Sequence, residues 1–111
     1  MNKRQTRRFL HFDVVDRYEL DGRKMIERGR ILDISEGGLL CKWFNPLTPG
    51  NRFMFRFELG GEVFFVEGEI TRLAWNPVDE KPLSGVKLAL TKEQQDRVAL
   101  LLSRSGKKPV A

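Results

Sequence analysis

Phe53, Phe55, Phe57 and Leu59 alternate with Arg52, Met54, Arg56 and Glu58. A period of two belongs to an extended chain, whose successive side chains point to opposite faces. The stretch is therefore a strand with one apolar face and one mostly charged face. Gly60-Gly61 turns it into a second run, Glu62 to Trp75, apolar and β-branched with Gly68 inside. Two such strands expose edges, so the pattern calls for a larger sheet, and a sheet of this size is best relieved of its edges by closing.

The rest of the chain supplies the partners. Strand signals run from Phe9 to about Leu20, from Arg23 to about Ser35, from Leu39 to Trp43 and from Gly85 to Leu90. Asp21-Gly22 carries the signal of a two-residue type I′ hairpin turn, and Gly29 is a candidate bulge. Asn45 to Gly50 and Asn76 to Leu83 read as loops by their Pro and Gly content. After Leu90 the period changes. Thr91-Lys-Glu-Gln94 fits a capping box, in which the Thr hydroxyl bonds the N3 amide and the Gln reaches back. Val98, Leu101 and Leu102 follow at helical spacing, with Leu100 widening the stripe, so a helix is expected to about Arg104. The expected fold is all-β with one helix: a six-stranded antiparallel β-barrel followed by a C-terminal α-helix. The expected organisation is a flexible basic arm over 1–8, the barrel and helix over 9–105, and a disordered tail over 106–111.

Charge sharpens this division. The net charge is +5. Lys3, Arg4, Arg7 and Arg8 lie in the first eight residues, and Lys107 and Lys108 lie near the end. The remaining 14 basic and 15 acidic residues leave the body near neutrality. A uniformly basic face would point to nucleic acid. A basic arm on a neutral body points instead to a local anion clamp, with a solvated tail as the plainer alternative. No apolar run approaches the ~18 residues of a membrane span. The basic start lacks the apolar segment of a signal peptide, so the cytoplasm is the expected location. One Cys and one His cannot build a structural zinc site, and Cys41, within Leu39-Leu40-Cys41, reads as a small buried apolar residue. No P-loop, GxGxxG or GxSxG pattern is present, which favours a binding protein over an enzyme.

Two groups of residues carry the chemistry. Asp33-Ile34-Ser35 puts two polar side chains on one face of a strand end, with Ile34 facing the core. Gly37-Gly38 follows, where glycine allows positive φ and close approach of backbone to a ligand. The carboxylate can accept from a guanine N1–H and N2–H₂ edge, and the hydroxyl and backbone amides can donate to phosphate or base. The plainer reading is an Asx/Ser turn between strands. The second group is the arm. The planar fork of Arg suits phosphate, and its guanidinium stacks on purine faces.

These features together resemble the PilZ family, bacterial receptors for cyclic di-GMP. Asp33-x-Ser35-x-x-Gly38 matches the family's D/NxSxxG motif in full. Arg4-Gln-Thr-Arg-Arg8 matches its RxxxR arm literally. A second register, Arg7-Arg8-Phe9-Leu10-His11, resembles the usual run into the first strand and leaves His11 where the second arginine would fall. The resemblance spans residues 4 to 105. It implies a six-stranded barrel with a C-terminal helix, no cofactor, and cyclic di-GMP as ligand. It implies clamping by Arg4, Arg7 and Arg8, readout by Asp33 and Ser35, and close approach at Gly38. Trp75 is a candidate platform for a guanine, with a barrel-rim role as its alternative, and Arg72 on the same strand is a weaker candidate. An arm that orders on binding would expose a new surface to a downstream protein partner. His11 motivates the alternative of a degenerate member acting by protein contact without nucleotide, for example in pilus or motility machinery. An OB-like or Sm-like nucleic-acid binder is a third reading, disfavoured by the neutral body.

Overall fold

The structure, a computed structural model, describes residues 14–105. Six strands are present: β1 (Val14–Tyr18), β2 (Met25–Ser35), β3 (Gly38–Lys42), β4 (Arg52–Leu59), β5 (Glu62–Trp75) and β6 (Pro82–Leu88), followed by the helix α1 (Lys92–Ser105). Every strand pairing is antiparallel, and the sheet closes in the order β1-β2-β3-β6-β5-β4, with β4 returning to β1. The expected barrel and helix are both there. The arm, His11, the start of the first strand before Val14 and the tail lie outside the described residues.

The alternation in β4 does what its period dictates. Phe55, Phe57 and Leu59 face inward and are buried. Phe57 stacks on Phe64 of β5 with ring centroids 5.4 Å apart. Gly60 and Gly61 carry φ of 58° and 84°, the left-handed pair of a type I′ turn, and Leu59 pairs directly with Glu62 across it. Val98, Leu101 and Leu102 of α1 are buried with this core, so the helix plugs the barrel end where β4 finishes. Its capping box is formed: the Gln94 amide donates to Thr91 Oγ1 at 3.1 Å and the Thr91 amide to Gln94 Oε1 at 2.9 Å.

Three expectations need correction. Asp21-Gly22 is not a two-residue turn. Only Gly22 is left-handed (φ 78°). Its amide donates to the Glu19 carbonyl at 2.7 Å, the Arg23 amide donates to the Asp21 carboxylate at 2.9 Å, and the chain resumes pairing at Met25. Gly29 is not a bulge; it pairs regularly with Val15. A methyl there would come within 2.4 Å of the Trp43 ring, so the glycine makes room for that buried indole. The last strand begins at Pro82, earlier than Gly85. Proline tolerates the first strand position because it has no N–H to donate there, and the Pro82 carbonyl accepts from Trp43 N.

Bulges occur elsewhere, at Ile26 and Leu32 in β2 and at Thr71 in β5. Ile31 and Ile34 are three residues apart and both buried. A regular strand cannot turn both inward, and one extra residue resolves the conflict. Cys41 is fully buried, and burial raises its thiol pKa. Trp43, only 1% exposed, packs in the core.

Candidate functional site

The bulges decide what faces outward. Beyond Leu32, Asp33 pairs with Leu40 of β3, Leu40 with Gly85 of β6, and Gly85 with Arg72 of β5. Directly paired residues share a face, so these four form one row across the outside of the barrel. Ser35, Gly38, Lys87 and Glu69 form the next row by the same pairings. Asp33 and Arg72 stand at opposite ends of the first row, three strand spacings apart, roughly 14 Å along the sheet. Between them lies a groove of about 330 Å³. Asp33, Ser35 and Gly38 line one wall, Thr71 and Arg72 the other, and Leu40 and Gly85 the floor.

The floor is low because Gly85 has no side chain. A methyl built there would lie 3.0 Å from both Arg72 Cγ and Thr71 Oγ1 and 3.1 Å from Arg72 Nε. The Arg72 side chain therefore runs over the space that Gly85 leaves open on β6. Gly38 serves differently from the expectation. Neither it nor Gly37 has positive φ. A methyl on Gly38 would fall 2.4 Å from the Val86 carbonyl oxygen, so the residue permits close approach of β3 to β6. The Leu88 amide donates to the Gly37 carbonyl at 3.0 Å, which pins the turn beside the groove.

The side chains of Asp33, Ser35, Thr71 and Arg72 make no hydrogen bond or ion pair with other described residues. A carboxylate, two hydroxyls and a guanidinium thus converge with their bonding capacity unspent. Such a set can read the donor edge of a purine at Asp33 and hold an anion at Arg72. No group of described residues has the donor set of a metal site.

Of the sequence-predicted residues, the structure brings Asp33, Ser35 and Gly38 together. Arg4, Arg7 and Arg8 lie outside the described residues. Trp75 lies outside the groove lining. It is 56% exposed and pairs with Pro82 at the far end of β5. It lies three positions after Arg72, about 10 Å along the strand and an odd step, which aims the two side chains to opposite faces. Thr71, Arg72 and Gly85 also line the groove, although of the three the sequence marks only Arg72, and as a weaker candidate. Their signal is the near-repeat of Ile31-x-x-Ile34 in Ile70-x-x-Leu73: apolar residues three apart within a strand, with a polar residue between them.

The chain enters β1 at Val14, which pairs with Arg30 of β2. From Arg30, β2 continues past the start of β1 to Asp33 and Ser35, so the segment preceding Val14 begins about 10 Å from the groove.

A family model described as the PilZ domain matches residues 2–104. The PilZ domain of YcgR from Escherichia coli, solved with c-di-GMP, superposes with a TM-score of 0.59 at 18% identity, covering 85% of this chain and 82% of that one. A crystal structure of YcgR from Escherichia coli in complex with c-di-GMP gives a TM-score of 0.67 at 16% identity. That match covers 83% of this chain and 40% of the other. At such identities the likeness is one of fold. No curated protein matches the sequence. Among the described residues no helix is long and apolar enough to cross a membrane.

Proposed function

The chain belongs to the PilZ domain family, and on that premise we propose that it is a receptor for cyclic di-GMP in bacterial second-messenger signalling. One observation carries the reading: the unpartnered Asp33, Ser35, Thr71 and Arg72 line one outer groove close to where the arginine-bearing segment joins β1. Cyclic di-GMP presents guanine edges rich in donors and two phosphodiester anions. Asp33 accepts from a guanine edge and Ser35 supports it. Arg72 takes a phosphate or lies against a purine face, extended across Gly85. Arg7 and Arg8, with Arg4, close over the ligand from the other side and order as they do so. The change hands a new surface to a protein partner downstream. A cytoplasmic location belongs to the same proposal. The role is recognition, and no bond is made or broken.

Calorimetric titration of the folded chain with cyclic di-GMP tests the proposal. Saturable binding is expected, weakened more than tenfold by Asp33→Ala and by Arg7→Ala, since each removes a charge-assisted hydrogen bond of about 1.5–3 kcal/mol. The absence of heat at tens of micromolar ligand would overturn it.

A further inference from the structure

A second groove, of about 530 Å³, lies between β5 and the first half of α1. Its floor is apolar. Phe64 and Val66 face the core, so Val63 and Phe65 between and beside them must face out, and they are 53% and 44% exposed. Leu100 of α1 joins them at 42%. Its rim carries more acid than base: Glu62, Glu93 and Asp96 line it with Arg97. Glu62 is paired with Arg97 and Asp96 with Lys92 at the exposed surface, and Glu93 has no side-chain partner among the described residues. This groove shares no lining residue with the one at Asp33.

The register shows what lies beside it. Val15 pairs with Phe57 and Phe57 with Phe64. One step along, Val14 stands level with Glu58, which pairs with Val63. The chain thus enters β1 two strand spacings, about 10 Å, from the apolar floor. Thirteen residues precede that point. Residues 1–12 carry Lys3, Arg4, Arg7 and Arg8, the apolar Phe9, Leu10 and Phe12, and no carboxylate. At up to ~3.3 Å per residue, Arg8 is within about 20 Å of Val14, so the basic stretch can reach the acidic rim while Phe9 and Leu10 reach the floor.

We propose that this groove is a seat for the chain's own N-terminal arm in the nucleotide-free protein, with the arginines on the Glu93–Asp96 rim and the aromatic and aliphatic residues on Val63, Phe65 and Leu100. The arm then has two alternative seats, because the arginines cannot serve both grooves at once. Occupancy of the acidic seat lowers the apparent affinity for a ligand at the Asp33 groove by the fraction of arms withdrawn. That last consequence rests on the nucleotide reading above; the seat itself does not.

The test uses the full chain carrying Gln5→Cys, labelled there with a nitroxide while the buried Cys41 stays unmodified. In nucleotide-free protein the label should broaden the methyl resonances of Val63 and Leu100 and the ring resonances of Phe65, and leave Thr71 untouched. Glu93→Lys with Asp96→Lys should abolish that broadening and tighten cyclic di-GMP binding about two- to five-fold, as expected when a competing state is removed. Absence of broadening in this groove, broadening unchanged in the double variant, or broadening only between labelled and unlabelled molecules would overturn the proposal. The last result would assign the groove to a second copy. Broadening without any nucleotide binding would leave the seat standing and remove the receptor reading.

Discussion

Two polar clusters of this barrel can be set side by side. At the end near Trp43, Arg17 is only 5% exposed. It pairs with Glu27 at 2.9 Å, and its guanidinium lies 4.5 Å from the Phe53 ring centroid and 5.3 Å from that of Trp43. The other Glu27 oxygen accepts from the Phe44 amide at 2.6 Å. In the outer groove, Asp33, Ser35, Thr71 and Arg72 have no such partners among the described residues. In the first cluster folding has already paired the charges, although Arg17 Nε and Trp43 Nε1 stay buried without a hydrogen-bond partner. The second is charge held ready on a rigid surface. Both contain an arginine and a carboxylate, so residue type does not separate them; burial and partnership do. The barrel order separates them too, because the bulges at Leu32 and Thr71 turn Asp33 and Arg72 to the outer face while Arg17 points inward.

Substitutions should break the two clusters in opposite ways. The largest effect is expected from Glu27→Ala, which strands a buried guanidinium and should cost about 3–5 kcal/mol of stability in denaturant unfolding. Next comes Asp33→Ala. Its unfolding midpoint should move by less than about 0.5 kcal/mol, since an exposed, unpartnered side chain is lost. Its cyclic di-GMP affinity in calorimetry should nevertheless fall more than tenfold. A large stability loss in Asp33→Ala would erase the contrast between the clusters. Gly85→Val should be milder. The new side chain crowds Thr71 and Arg72 on the outer face, so binding is expected to weaken about fivefold, the loss of roughly 1 kcal/mol of contact. Its melting temperature should hold or rise, because a β-branched residue suits a strand. Trp75→Ala should be the smallest, within about twofold in affinity. A tenfold loss there would extend the site over the barrel rim and restore the guanine platform that the sequence suggests.

The fold was legible because its signals are local. The alternation in β4, the Gly60-Gly61 turn and the Thr91–Gln94 cap each lie within a few residues and each appears as its chemistry requires. Asp21-Gly22 misled because one left-handed glycine suffices for the longer turn that the Glu19 carbonyl organises. Half of the groove was legible for the same local reason: Asp33-x-Ser35-x-x-Gly38 is contiguous. The other half was not. Arg72 gains its meaning only from the pairings of β3 with β6 and of β6 with β5 and from the empty space at Gly85, none of which a local pattern contains. Gly38 was found, but for a different purpose; the Val86 carbonyl, distant in sequence, requires it.

The unpartnered outer groove, and not the ion-paired cluster at the other end of the barrel, should receive the nucleotide. Amide chemical shifts of the full chain during titration with cyclic di-GMP test this most directly. Asp33, Ser35, Thr71, Arg72 and Gly85 should show saturable shifts with a common midpoint, while Arg17, Glu27 and Trp43 stay in place. Saturable shifts centred on Arg17 and Trp43 with the groove unmoved, or no shifts at saturating ligand, would contradict it.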